Sequence, residues 1–165
     1  MQLPDDIFRR IKTDVMYPRF LELLTQALEN AYDRGALYYP ISGLRTWDEQ
    51  AKLYAQGRTA PGPIVTRAGP GQSWHNFAAA TDNCRDADAE KSGLQMDWNL
   101  ADYAILAEEA TKVGLEAAYN WTSFKEGPHV QLPCEKHGLT LEKMRETYKE
   151  GGMDAVFALY DTIAW

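Results

Sequence analysis

Histidine is scarce in this chain, with three in 165 residues, so any imidazole chemistry must draw on His75, His129 and His137. Cysteine is scarcer still. Cys84 and Cys134 are too few for a disulfide framework and lack Cys-x-x-Cys spacing, so two buried free thiols are expected and neither is assigned as a metal ligand. Clusters of Lys and Arg are missing, and the formal net charge is −7. That excludes a nucleic-acid binder working by phosphate neutralisation, and it argues against electrostatic attachment to an anionic membrane or wall polymer. No apolar run approaches the ~20 residues of a membrane-spanning helix. The opening Met1-Gln2-Leu3-Pro4-Asp5-Asp6 has neither the basic region nor the apolar stretch of a secretory signal. The expectation is synthesis in the cytoplasm without a signal peptide, and no stable membrane association.

What is present is ordinary in bulk. A hydrophobic fraction of 45% and a charged fraction of 25% suit one globular domain over residues 1–165, large enough to bury a core without staples. No repeat or low-complexity stretch divides it, and a monomer is expected. Five Trp and nine Tyr suit either core packing or a groove that grips sugar or peptide.

Apolar residues at Phe20, Leu24, Ala27, Leu28 and Ala31 predict a helix over residues 17–34, stopped by Gly35. Residues 36–42 read as a short strand. Thr46, with Glu49 three positions on, is a capping box opening a second helix that Gly57 ends. Residues 57–72 are dense in Gly and Pro and read as a loop within the domain. A strand is expected around Asp82 and a third helix over residues 99–113. Residues 115–121 and 129–132 read as strands. From Thr140 the tail holds two helical stretches broken at Gly151-Gly152. The fold class is α+β: a small antiparallel sheet carrying the site, flanked by about three helices, with a short helical tail.

Two distant segments carry the chemistry: Ser73-Trp74-His75-Asn76-Phe77-Ala78-Ala79-Ala80-Thr81-Asp82 and Glu126-Gly127-Pro128-His129. Together they hold two imidazoles and two carboxylates, the inventory of a catalytic zinc site, which takes three His/Asp/Glu ligands and leaves a fourth position open. His75, Asp82 and His129 can be the ligands, with Glu126 left as a base. On a regular strand Glu126 and His129 would face opposite ways. Gly127, with its free dihedrals, and Pro128, with its fixed one, allow a bend that turns both to one point. Each segment alone also reads as ordinary structure, a surface turn in one case and a buried strand in the other. His137, beside Gly138, reads as an exposed turn residue.

The combination of Ser42-Gly43-Leu44-Arg45-Thr46, Gln50, Leu53-Tyr54, Val65-Thr66, Pro70-Gly71-Gln72-Ser73-Trp74-His75-Asn76, Ala80-x-Asp82 and Pro128-His129 resembles the D-alanyl-D-alanine metallopeptidase family. Within it the similarity is greatest to the L-alanyl-D-glutamate peptidases of the phage endolysin type. It spans residues 15–135 as a core, with residues 139–165 as a helical tail. The family pattern Ser-x-His-x-x-Gly-x-Ala-x-Asp falls on Ser73, His75, Ala78, Ala80 and Asp82, with Ala78 in place of Gly. The methyl group is tolerable there unless the position needs a positive φ.

The resemblance implies one catalytic zinc on His75, Asp82 and His129, with Glu126 as general base and then acid. It implies Arg45 as oxyanion or substrate-carboxylate ligand, and Ser73 as a hydrogen-bonding partner of substrate or support of its loop. The implied function is a zinc-dependent peptidoglycan hydrolase cutting the stem peptide, foremost at the L-Ala–D-Glu bond. If a phage lysin, the chain would wait in the host cytoplasm before reaching the wall. The alternatives are a D,D-carboxypeptidase or D-Ala-D-Ala dipeptidase, and, from another class, a non-catalytic wall-binding module that keeps zinc for stability.

Overall fold

The first helix buries one stripe and packs it against the third helix and the first strand. The computed structural model describes residues 2–165. Helix α1 (Pro18–Asp33) starts with Pro at its first position and buries Phe20, Leu23, Leu24, Ala27, Leu28 and Ala31. Gly35, at φ 82°, turns the chain out of it into strand β1 (Tyr38–Ser42). Pro40 is tolerated there because β1 lies at the sheet edge, and a register shift between Pro40 and Ser42 follows it. The Thr46–Glu49 capping box forms as expected and opens α2 (Trp47–Ala55).

After the 57–72 loop, a 3-10 turn (Trp74–Phe77) leads into β2 (Ala80–Asp86). β3 (Met96–Asp97) pairs with the far end of β2. The expected third helix is divided. A 3-10 turn (Leu100–Tyr103) precedes α3 (Ala104–Lys112), whose buried face includes Leu106, Ala107 and Ala110. The strand expected over residues 115–121 is only β4 (Glu116–Ala117), because the chain curls at once into a 3-10 turn (Ala118–Asn120). β5 (His129–Gln131) completes an antiparallel sheet in the order β1-β2-β5-β4.

The tail belongs to the core. Helix α4 (Leu141–Tyr160) is capped by Thr140 and kinks at Gly151-Gly152, where Gly152 takes φ 66°. It buries Met144, Val156 and Tyr160. The Tyr160 hydroxyl donates to the Phe77 carbonyl at 2.9 Å, and Tyr148 stacks on Trp47 with ring centroids 5.1 Å apart. The tail thus braces the turn that carries His75 from behind. Cys84 and Cys134 are both buried and free. Burial raises both thiols, Cys134 to about 12, so neither is a ready thiolate. No helix among the described residues is long and apolar enough to cross a membrane.

Candidate active site

Three neighbouring strands put most of the site in one row. Ser42 of β1 is registered against Asp82 of β2, and Asp82 against His129 of β5. Directly opposed residues share a face of the sheet, ~5 Å apart at Cβ, so Asp82 and His129 meet by register alone. His75 comes from outside the sheet, on the 3-10 turn. Ser73 caps that turn, its Oγ accepting from the His75 backbone N–H at 3.3 Å.

The imidazoles are held by their outer nitrogens. His75 Nδ1 lies 2.9 Å from the Gly43 carbonyl, which only accepts, so Nδ1 carries the proton and Nε2 presents its lone pair. That Nε2 is 3.4 Å from Asp82 Oδ2. His129 uses the opposite edge. Its Nε2 donates to Gln131 Oε1 at 2.8 Å, and its Nδ1 faces Asp82 Oδ1 at 3.3 Å. Gly43 has no side chain because one would press on Met16 Sδ at 3.1 Å and on Ile11 at 3.4 Å.

Burial opposes ionisation of both Asp82 and His129, but their pairing outweighs it. Burial pushes the Asp82 carboxyl up; hydrogen bonds and charge from His129 and His75 pull it further down, well below the usual carboxylate range. Burial pulls His129 down, and the Asp82 carboxylate, with help from Gln131 and the charge of Glu126, lifts it above its ordinary value.

One donor atom from each of His75, Asp82 and His129 lies within 4.8 Å of the others, and among the described residues no other such group forms. Two nitrogens and a carboxylate oxygen, each imidazole oriented by an acceptor on its far side, fit a divalent zinc-type ion with room for a further ligand. Neither cysteine joins the group.

Arg45 approaches the same carboxylate, its Nη2 3.7 Å from Asp82 Oδ2. The guanidinium is oriented by Gln50 Oε1 at 3.0 Å and Ser42 Oγ at 3.3 Å. Gln50 is fully buried and spends its amide N–H on the Ala68 carbonyl at 2.7 Å. Asn76 ties the pieces together: its amide donates to the Arg45 carbonyl, and its Oδ1 accepts from the Gly71 N–H. Gln50 and Asn76 belong to the motifs of the resemblance but carry no role there, and Gln131 is in none of them. Their signal is burial of a polar side chain, which only the folded chain reveals.

Glu126 is exposed and lines the cleft that contains the three donors. The bend that brings it there is real, but the reason for Gly127 is different from its dihedral freedom. Gly127 takes no positive φ; a Cβ on it would meet the Tyr103 ring at 2.6 Å. Close approach selects glycine here. Asn83 secures the bend, its backbone and side-chain N–H groups both donating to the Pro128 carbonyl at 2.9 and 3.0 Å. Trp121 lines the cleft as well, its ring 5.6 Å from that of His129, and it donates Nε1–H to Glu116. His137 lies on the outside, packed edge-on against Trp165. The cleft has a volume of about 1070 Å³ and is walled on one side by the 57–72 loop.

The VanY family model, described as D-alanyl-D-alanine carboxypeptidase, matches residues 14–131. The chain belongs to this family. Among its relatives is the peptidoglycan L-alanyl-D-glutamate endopeptidase CwlK of Bacillus subtilis (strain 168), 37% identical over 111 residues, 62% of this chain and 64% of that protein. The match thus spans less than two thirds of that relative's length. Two solved structures share the fold. The Serratia marcescens L-Ala D-Glu endopeptidase ChiX superimposes with a TM-score of 0.54 at 19% identity, covering 75% of this chain and 85% of its own. A mutant of the vancomycin resistance D,D-pentapeptidase VanY in complex with Zn(II) gives 0.51 at 20% identity, covering 78% and 82%. One position departs from the Ser-x-His-x-x-Gly-x-Ala-x-Asp pattern that the sequence resembles. Ala78, where the pattern carries Gly, sits at φ 56°, ψ 27° with its methyl fully buried, so the position does require the left-handed region.

Proposed function

We propose that this chain is a zinc-dependent peptidoglycan peptidase that hydrolyses the stem peptide at the L-Ala–D-Glu bond, with His75, Asp82 and His129 holding the ion. The carrying observation is the convergence of three oriented donors with one uncommitted carboxylate, Glu126, in a single open cleft. A structural metal site needs four protein ligands and no base, so a silent wall-binding module accounts for less of this arrangement.

A zinc ion at these donors would polarise the scissile carbonyl and make a water acidic near neutral pH. Glu126 would serve as the base for the attacking water and then return the proton to the leaving amine. Arg45, kept straight by Gln50 and Ser42, supplies a fixed charge for the developing oxyanion or for a substrate carboxylate. Ser73 holds the His75 turn through its capping bond. The choice of bond rests on CwlK and ChiX, whose names state that specificity. A D,D-carboxypeptidase activity is the second reading, favoured by the family description. A phage endolysin that meets the wall only after lysis begins is the finer biological reading.

Digestion of purified peptidoglycan with and without chelator, followed by mass spectrometry of the fragments, tests the proposal. New N-terminal D-Glu, lost on chelation and restored by zinc, is the expected result. Release of free D-Ala would move the chain to the second reading. No cleavage, with zinc bound, would overturn the enzyme.

A further inference from the structure

The chain is acidic, yet its clefts are not. A second cleft of about 700 Å³ is lined by Arg10, Lys12, Lys52 and Glu49, and it shares Arg45 and Leu53 with the catalytic cleft. Across the two, seven of the seventeen Lys and Arg side chains are gathered, against three of the twenty-four Asp and Glu. The joined groove therefore carries a local excess of four positive charges in a protein of net charge −7. Low-dielectric walls focus such a local field, so it can act where the overall charge opposes it.

One wall of the second cleft comes from a segment that the family match does not include. Arg10, Ile11 and Lys12 precede the matched residues 14–131. Arg10 and Ile11 are nevertheless held in place. Ile11 and Met16 pack onto Gly43, and the Leu44 N–H points at Met16 Sδ at 3.0 Å. Arg10 is steadied over the Tyr39 ring, 5.5 Å from its centroid. The exposed ammonium groups of Lys12 and Lys52 form no salt bridge among the described residues. Glu49, the one acid here, is committed to its capping box.

We propose that this cleft is an accessory subsite for a carboxylate of an acidic peptide, reached past Arg45 from the scissile bond. Lys12 and Lys52 supply the charge and Arg45 joins the subsite to the catalytic centre. The inference rests on the peptidase reading, and it narrows the substrate to peptides acidic on both sides of Arg45.

The test compares a synthetic stem peptide with free carboxylates to the same peptide amidated away from the scissile bond. Hydrolysis and equilibrium binding by fluorescence anisotropy are both read, for wild type, K12Q/K52Q and the control K149Q, whose site lines neither cleft. Wild type and K149Q are expected to prefer the acidic peptide by about five- to tenfold in KM and Kd, a preference that fades at roughly 0.5 M salt. K12Q/K52Q is expected to lose the preference. Equal preference in all three proteins, equal loss in both variants, or no preference in wild type would each overturn the subsite. Selective binding without any hydrolysis would instead sink the peptidase reading and leave the subsite standing. Tighter binding of inorganic polyphosphate than of the acidic peptide would assign the groove to a phosphate polymer and overturn the proposal.

Discussion

His129 and Gln131, two residues apart on one short strand, are joined side chain to side chain: Nε2 donates to Oε1 at 2.8 Å. This bond leaves His129 Nδ1 as the free donor and aims it at Asp82. Removing an orienting partner of a metal-binding imidazole typically costs about 10–100-fold in affinity. Gln131→Leu should therefore weaken zinc binding by that factor, read by competition with a chromophoric chelator, with the fold intact by circular dichroism. Unchanged affinity would mean that Gln131 does not set the tautomer.

Glu126 lines the cleft but contributes no donor to the His75–Asp82–His129 group. Glu126→Gln should keep stoichiometric zinc and lose hydrolysis by about a hundredfold or more. Full activity in that variant would eliminate Glu126 as the base.

Arg45 is held by Gln50, which is itself pinned to the Ala68 carbonyl. Arg45→Lys keeps the charge and loses the planar fork, so kcat should fall by roughly 10–100-fold at unchanged zinc content. Gln50→Leu should reproduce part of that loss. If Arg45→Lys changed KM alone, the arginine would be a substrate anchor and not an oxyanion ligand.

The Asp82–His129 pair adds a pH-dependent contribution to the stability of the metal-free protein. His129 is raised in the fold, so its contribution is complete below an unfolded pKa of ~6.5 and is lost as pH rises through the raised value. Asp82 is depressed, so its contribution is present above ~3.9 and is lost only as pH falls through the lower value. With chelator, this contribution is fullest between those two limits. Zinc held by His129 would displace its proton, so it should raise Tm more at pH 8 than at pH 5.5. Thermal melts at both pH values check this, and a larger zinc shift at pH 5.5 would contradict the assignment.

Ala78 pairs a left-handed backbone with a buried methyl. Ala78→Gly relieves about 1 kcal/mol of strain and forfeits about 0.8 kcal/mol of methyl burial, leaving stability within roughly 1 kcal/mol of wild type. Ala78→Val, branched and without space, should cost more than about 2 kcal/mol. Chemical denaturation measures both.

Local features were legible from the residues. The α1 stripe, the Thr46–Glu49 box, the Gly151-Gly152 break and the candidate donor types are all set by neighbours a few positions apart or by residue chemistry that few side chains offer. The short β4 was over-read because an apolar, aromatic stretch does not reveal where a strand loses its partner. Gly127 was assigned to the wrong cause, since no pattern shows that Tyr103 will press against it.

By itself the sequence determined the fold class, the donor types and the family resemblance, because each rests on which side chains exist and on short-range periodicity. Tertiary structure alone decided the register that sets Asp82 beside His129, the Gly43 acceptor that chooses Nε2 on His75, and the gathering of cations along one groove. Those depend on contacts between segments far apart in sequence, whose geometry exists only once the chain has closed on itself.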